Sequence, residues 1–247
     1  MLNFQSVKSQ VAAVGLVMSM AVGAAQAAPT TALYLAMDGS GSISNAQFTQ
    51  QITGYVSALN TFFGNNPDAY GTVAIGGNIF GSNVSQFSAL NVIEDAADLA
   101  ALTAAIAALD PGRGGINTGG TAIGNAVTLA TNALLAYQTS LGIDLKMLID
   151  VTTDGVNNTG TAPGMAASNA IGAGVDQVNC LGIGGGANCS WVGSSGTDFG
   201  TVSFENLGAA LAQKIHTEVF GVPEPMSIAL FGLGLAGLGM VARRRQA

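Results

Sequence analysis

Apolar and polar positions along this chain alternate between two textures. Ala32-Leu33-Tyr34-Leu35-Ala36-Met37 is an unbroken apolar run, as expected of a strand buried on both faces. Ser44 follows with Gln47 three residues on, a capping box, and Phe48, Ile52, Tyr55, Leu59 and Phe62 then recur at helical spacing. Thr72 to Phe80 reads as a second strand ended by Gly81, and Asp95 to Leu109 as a helix with Leu99, Leu102, Ile106 and Leu109 on one stripe. Thr121 opens a helix through Ile123, Val127, Ala130 and Leu134, and Leu145 to Val151 is a strand. Thr161-Ala162-Pro163 starts a further helix with a cap and an early proline, Asp176 to Ile183 is strand-like, and Ser203 caps a last helix carrying Leu207, Leu211 and Ile215. Such alternation predicts an α/β domain of the Rossmann-like, doubly wound kind: a mostly parallel central sheet flanked by helices on both faces.

The two ends carry a different pattern. Residues 1–27 read as a secretory signal peptide: Lys8 precedes a short apolar run from Val11 to Ala24, and Ala25-Gln26-Ala27 supplies the small-x-small cleavage pattern. At the other end, residues 222–247 hold Pro223-Glu224-Pro225, an uncharged stretch over residues 226–242, and Arg243-Arg244-Arg245. Seventeen helical residues span about 25 Å, enough to cross a bilayer core, and the arginines favour the cytoplasmic side. This tripartite tail resembles the PEP-CTERM sorting signal of Gram-negative bacteria that make extracellular polysaccharide. The resemblance implies processing by an exosortase that removes the helix after export. The chain would then meet the membrane only through that helix, before cleavage, and end at the cell surface, the outer membrane or the extracellular matrix. Residues 28–221 are left as one domain.

Only 9% of the 247 residues are charged against 49% hydrophobic, which excludes a disordered acidic tail and a coiled coil. Between Ala28 and Val222 the basic side chains are Arg113, Lys146 and Lys214, set against thirteen acidic ones. An acidic domain lacks the basic face that phosphate neutralisation needs, so nucleic acid is excluded as a partner.

In a parallel sheet ligands gather where strands end and helices begin, and three polar clusters fall there. Asp38-Gly39-Ser40-Gly41-Ser42 follows the first buried strand, Gly119-Gly120-Thr121 precedes a helix, and Asp154-Gly155 follows a later strand. Two carboxylates and three hydroxyls are hard oxygen donors, suited to Mg²⁺, Mn²⁺ or Ca²⁺. The set Asp38, Ser40, Ser42, Thr121 and Asp154 resembles the metal-ion-dependent adhesion site of von Willebrand factor type A (VWA) domains, whose signature is Asp-x-Ser-x-Ser with a distant Thr and a distant Asp. Gly119-Gly120-Thr121-Ala122-Ile123-Gly124 and Ile149-Asp150-Val151 look like a bacterial branch of that family with no assigned role. The resemblance implies that Ser40 and Ser42 ligate the ion directly, Thr121 directly or through water, and Asp38 and Asp154 mostly through water. It also implies an external carboxylate on the remaining position.

Asp150, an acid inside an apolar strand, needs a partner. By alternation it shares a side with Asp154, so it reads either as a hydrogen-bond support to the site or as paired with a nearby cap or Lys146. Cys180 and Cys189, the only two cysteines, should pair in an exported chain. Trp191 lies within a glycine-rich stretch, Gly182 to Gly200, expected to form an exposed loop near the metal edge, where it serves as a binding anchor or covers apolar surface. His216, the single histidine, reads as a surface or interface residue and rules out a Ser-His-Asp set.

The expectation is an exported binding or adhesion module, not an enzyme. It would recognise a protein ligand with an acidic residue, or a matrix polysaccharide, through a divalent cation. The competing readings are a structural component of an exopolysaccharide matrix and a metal-dependent hydrolase. For the latter, Asp38 would be the nucleophile, but Ser40 stands where haloacid-dehalogenase-type phosphatases carry a second Asp.

Overall fold

The computed structural model describes residues 28–221. The expected signal peptide, the Pro223-Glu224-Pro225 box, the helix over 226–242 and the arginines 243–245 lie outside the described residues. Six strands form one sheet in the order β3-β2-β1-β4-β5-β6. They are β1 (Thr31–Asp38), β2 (Val73–Phe80), β3 (Val84–Val92), β4 (Lys146–Thr153), β5 (Gln177–Ile183) and β6 (Asp198–Val202). All neighbouring pairs are parallel except the antiparallel hairpin β2–β3. The expected doubly wound α/β architecture is the one observed.

Helices α1 (Asn45–Asn65), α2 (Ala96–Ala107) and α5 (Leu207–Phe220) cover one face, where Leu33, Leu35 and Met37 of β1 meet Phe48, Tyr55, Leu59, Leu211 and Ile215. Helices α3 (Ile123–Leu141) and α4 (Pro163–Ala173) cover the other, where Tyr34 and Ala36 meet Val127, Ala130 and Ala167. Every residue of β1 is buried, because alternate side chains enter two cores rather than one core and water.

The capping box forms as read: the Ser44 side chain accepts from the Gln47 N–H and the Gln47 side chain accepts from the Ser44 N–H. Other boundaries differ. The caps of α3 and α4 are Ala122 and Ala162, neither with a side-chain bond, in place of Thr121 and Thr161. Ser203 heads a single 3₁₀ turn (Phe204–Asn206) before α5. Two strands were not expected. β3 is a half-exposed edge strand whose Ser and Gln positions dilute its apolar alternation, and β6 interrupts the supposed loop Gly182–Gly200.

The Cys180–Cys189 disulfide is formed, with Cα atoms 5.6 Å apart. Trp191 packs over it and against the α3–α4 core, which is the covering role of its two readings. His216 is partly exposed and meets the Phe220 ring edge-on.

The two ends of the sheet are used differently. Lys146, the first residue of β4, donates to the carbonyls of Glu218 and Val219 at the C-terminus of α5, where a cation offsets the helix dipole. The chain therefore leaves the domain at the edge where the parallel strands begin. Among the described residues no helix is long and apolar enough to cross a membrane.

Candidate metal centre

The five oxygen-bearing residues singled out by the sequence come from three loops at the edge where β1 and β4 end. Ser40 Oγ lies 3.0 Å from Ser42 Oγ, and Ser42 Oγ donates to Asp154 Oδ1 at 2.6 Å across 112 residues of sequence. Asp38 sits beneath them, fully buried. Its Oδ1 accepts from the Ser40 N–H at 2.8 Å and its Oδ2 from the Thr153 hydroxyl at 2.6 Å. Thr121 joins Ser40 and Ser42 in lining a cleft of about 420 Å³, together with Thr118, Asn158 and three glycines.

The loop is tight because its backbone is bonded on all sides. The Gly39 N–H donates to Phe80 O and the Gly41 N–H to Thr118 O. A Cβ on Gly41 would come within 2.9 Å of that same Thr118 carbonyl, so only glycine lets the two strands of loop meet.

Two residues that sequence reasoning missed hold this arrangement. Arg113 is buried, with Nη1 donating to Gly39 O (2.9 Å) and Ser40 O (2.6 Å) and Nη2 to Ile43 O (2.6 Å) and Asn45 Oδ1 (3.3 Å). Its φ of 50° and its position over the Phe48 ring, 4.7 Å from the centroid, complete the clamp. The signal was available: it is the one arginine between Ala28 and Val222, set among glycines. Asn158 accepts from the Thr121 N–H at 2.8 Å and donates its own N–H to Thr121 O at 3.1 Å, fixing the threonine from the loop that follows Asp154.

Electrostatics tie the set together. Burial pushes the Asp38 carboxyl up to about 6, against the pull of its bonds from Ser40 and Thr153, and the Asp154 charge adds to the rise. Asp154 is also raised by burial, with Ser42 and Arg113 acting the other way. Two carboxylates short of neutralisation beside aligned hydroxyls are a donor set that a cation would stabilise. The spacing fits as well. An octahedral ion with oxygen ligands at 2.0–2.1 Å needs neighbouring oxygens about 2.9 Å apart, close to the Ser40–Ser42 separation. Among the described residues no group of three or more His, Cys, Asp or Glu side chains offers an alternative centre.

Asp150 does not belong to this site. It pairs with Lys214 of α5, which also pairs with Glu218, on the α1–α5 side of the sheet. Alternation does not carry from Asp150 to Asp154, because β4 ends at Thr153 and Asp154, already in a turn, no longer keeps the strand's sidedness. Lys146, the other partner considered, caps α5 instead.

A family model described as "Protein of unknown function (DUF1194)" matches residues 28–198. The chain belongs to DUF1194, a VWA-like family. A second model, the PEP-CTERM protein-sorting motif, matches residues 221–245. It marks this DUF1194 protein for export in Gram-negative bacteria and for exosortase processing. No curated protein matches the chain.

Several solved structures share the fold of the DUF1194 domain. Proximal thread matrix protein 1 from the mussel byssus aligns with a TM-score of 0.61 at 20% identity, over 76% of this chain and 48% of that one. Its form described as having a zinc-occupied MIDAS motif aligns at 0.60 and 20%, over 78% and 48%. A von Willebrand factor type A protein from Catenulispora acidiphila aligns at 0.57 and 16%, over 77% and 43%. The chain thus spans about half the length of these proteins, and at such identities the likeness is one of fold.

Proposed function

We propose that this protein is an exported adhesion module that recognises a partner's carboxylate through a divalent cation, Mg²⁺ being the first choice and Mn²⁺ or Ca²⁺ the alternatives. Ser40, Ser42 and Thr121 would hold the ion, with Asp38 and Asp154 acting mostly through water. A bound cation would supply positive charge that neutral hydroxyls leave largely uncompensated, available to an external anion.

The observation that carries this reading is the chain of contacts from Ser40 Oγ to Ser42 Oγ (3.0 Å) and from Ser42 Oγ to Asp154 Oδ1 (2.6 Å) at an open cleft. The protein's own residues do the rest of the work. Asp38 orders the serine loop through the Ser40 N–H, Asn158 sets Thr121, and Arg113 turns the carbonyls of Gly39, Ser40 and Ile43 inward. A hydrolytic reading finds less support, since Asp38 is fully buried with both carboxylate oxygens bonded.

Mn²⁺ binding followed by electron paramagnetic resonance tests the site. The full-length protein in mild detergent should take up one ion per chain, released by EDTA. Ser40→Ala and Asp154→Asn should each weaken uptake at least tenfold. Unchanged uptake in both variants would sink the assignment. Light scattering with and without Mg²⁺ separates a receptor from a self-associating matrix component, which would grow in size with the cation.

A further inference from the structure

All three basic side chains of the domain are spent internally. Arg113 is buried in the serine loop, Lys214 is buried between Asp150 and Glu218, and Lys146 caps α5. No lysine or arginine among the described residues is left to meet a ligand. The loops around the cleft (residues 39–44, 81–83, 117–122, 155–162 and 184–197) carry no charged residue at all.

The charges found from Asp154 out along α1 are acidic. Asp154 is at its edge. Asp110 accepts from the Thr49 hydroxyl, on the first turn of the helix into which the serine loop runs. Exposed Glu205 lines a groove along α1 with Thr49 and Gln50. The cleft wall offers hydroxyls, an amide and glycines, with no apolar anchor pocket of the kind that dominates aromatic-driven interfaces. A ligand is therefore drawn by one positive point, the ion, set in uncharged loops with acidic side chains beyond them. A polyanion would meet repulsion everywhere except at that point, whereas a carboxylate flanked by cations would gain at both.

Resting on the metal-site reading above, we infer that the partner is a basic protein surface presenting a single carboxylate, its lysines or arginines set against Asp110 and Glu205. A uronic-acid polymer is the disfavoured occupant.

Three peptides titrated against full-length protein in detergent with Mn²⁺ test this: Lys-Ala-Asp-Ala-Lys, Ser-Ala-Asp-Ala-Ser and Glu-Ala-Asp-Ala-Glu, all with blocked ends, alongside trigalacturonate. At 50 mM NaCl the lysine-flanked peptide should bind at least tenfold more tightly than the glutamate-flanked one, and 500 mM NaCl should erase most of that gap. The double variant Asp110→Asn with Glu205→Gln should shrink the preference to within threefold while Mn²⁺ uptake stays as in the parent. Equal affinity for the three peptides, or trigalacturonate binding as tightly as the lysine-flanked peptide, overturns the inference but leaves the metal site standing. A chain that holds no Mn²⁺ before any peptide is added brings down both.

Discussion

The Arg113 guanidinium donates to the Ser40 carbonyl at 2.6 Å from 73 residues away, so one buried cation fixes the backbone of the loop whose hydroxyls face the cleft. Its removal strands the carbonyls of Gly39 and Ile43 and leaves Ser40 O with the Ile43 N–H alone. An unsatisfied buried group costs about 1–3 kcal/mol, so Arg113→Gln should destabilise the protein by about 3 kcal/mol or more, roughly 10 °C in Tm. Urea unfolding measures the first. Mn²⁺ uptake, assayed well below the variant's Tm, should fall at least tenfold. A stability loss with uptake untouched would confine Arg113 to scaffolding.

A cation that binds only the native state must raise its stability. At a hundredfold excess over Kd the gain is about 2.7 kcal/mol, or about 5–10 °C for a domain of this size. Thermal unfolding in Mg²⁺ should show this shift, and EDTA should remove it. Thr121→Ala, losing a donor at the cleft wall, should halve the shift if affinity drops tenfold. A melting curve indifferent to Mg²⁺ at millimolar concentration would contradict the assignment.

The pH dependence has a definite sign. Glu218 is buried beside Asp150, and burial first, then the Asp150 charge, pushes its carboxyl from an ordinary 4.5 up to about 8, against Lys214 and Asn179. The native state keeps a proton that the unfolded chain gives up, which leaves the trio Lys214, Asp150 and protonated Glu218 neutral. That contribution is complete below about 4.5 and is lost as pH rises through about 8. Urea midpoints at pH 5, 6.5 and 8 should fall in sequence. Glu218→Gln, which keeps the bond from Asn179, should reduce the trend to the smaller fall that the raised Asp38 leaves below about pH 6, and an equal slope in both proteins would rule the trio out as its main source.

Reducing Cys180–Cys189 opens a short loop, and the chain-entropy relation puts its contribution at about 2–3 kcal/mol. Cys180→Ser with Cys189→Ser should lower the urea midpoint accordingly. Mn²⁺ uptake should persist, since no donor of the candidate site lies in that loop. A double variant as stable as the parent would show that the packing of Trp191 and Val192 suffices.

The chain announced its buried parallel strands because two-sided burial writes an unbroken apolar run, as in Ala32 to Met37, and α1 because Ser44 and Gln47 mark its start. The five candidate donors were legible for a similar reason: strand ends followed by glycines leave few places for polar side chains to go. What could not be read depends on distant contacts. β3 is exposed at Gln86, Ala89 and Asn91 and its pairing with β2 shifts register, while β6 is five residues broken by Gly200. The partner of Asp150 arrives on a helix 64 residues later, and nothing local marks Lys214 as the one that turns inward. Arg113 and Asn158 act through the backbone of other loops, so their own neighbours in sequence carry no periodic trace of the role.

Lys146, which caps α5, and Asp154, just past the other limit of β4, lie about 25 Å apart at 3.3 Å per residue. The last described residues thus lie at the edge of the sheet opposite the candidate metal centre, so a partner seated at the cleft would meet the domain on the side away from the chain's exit.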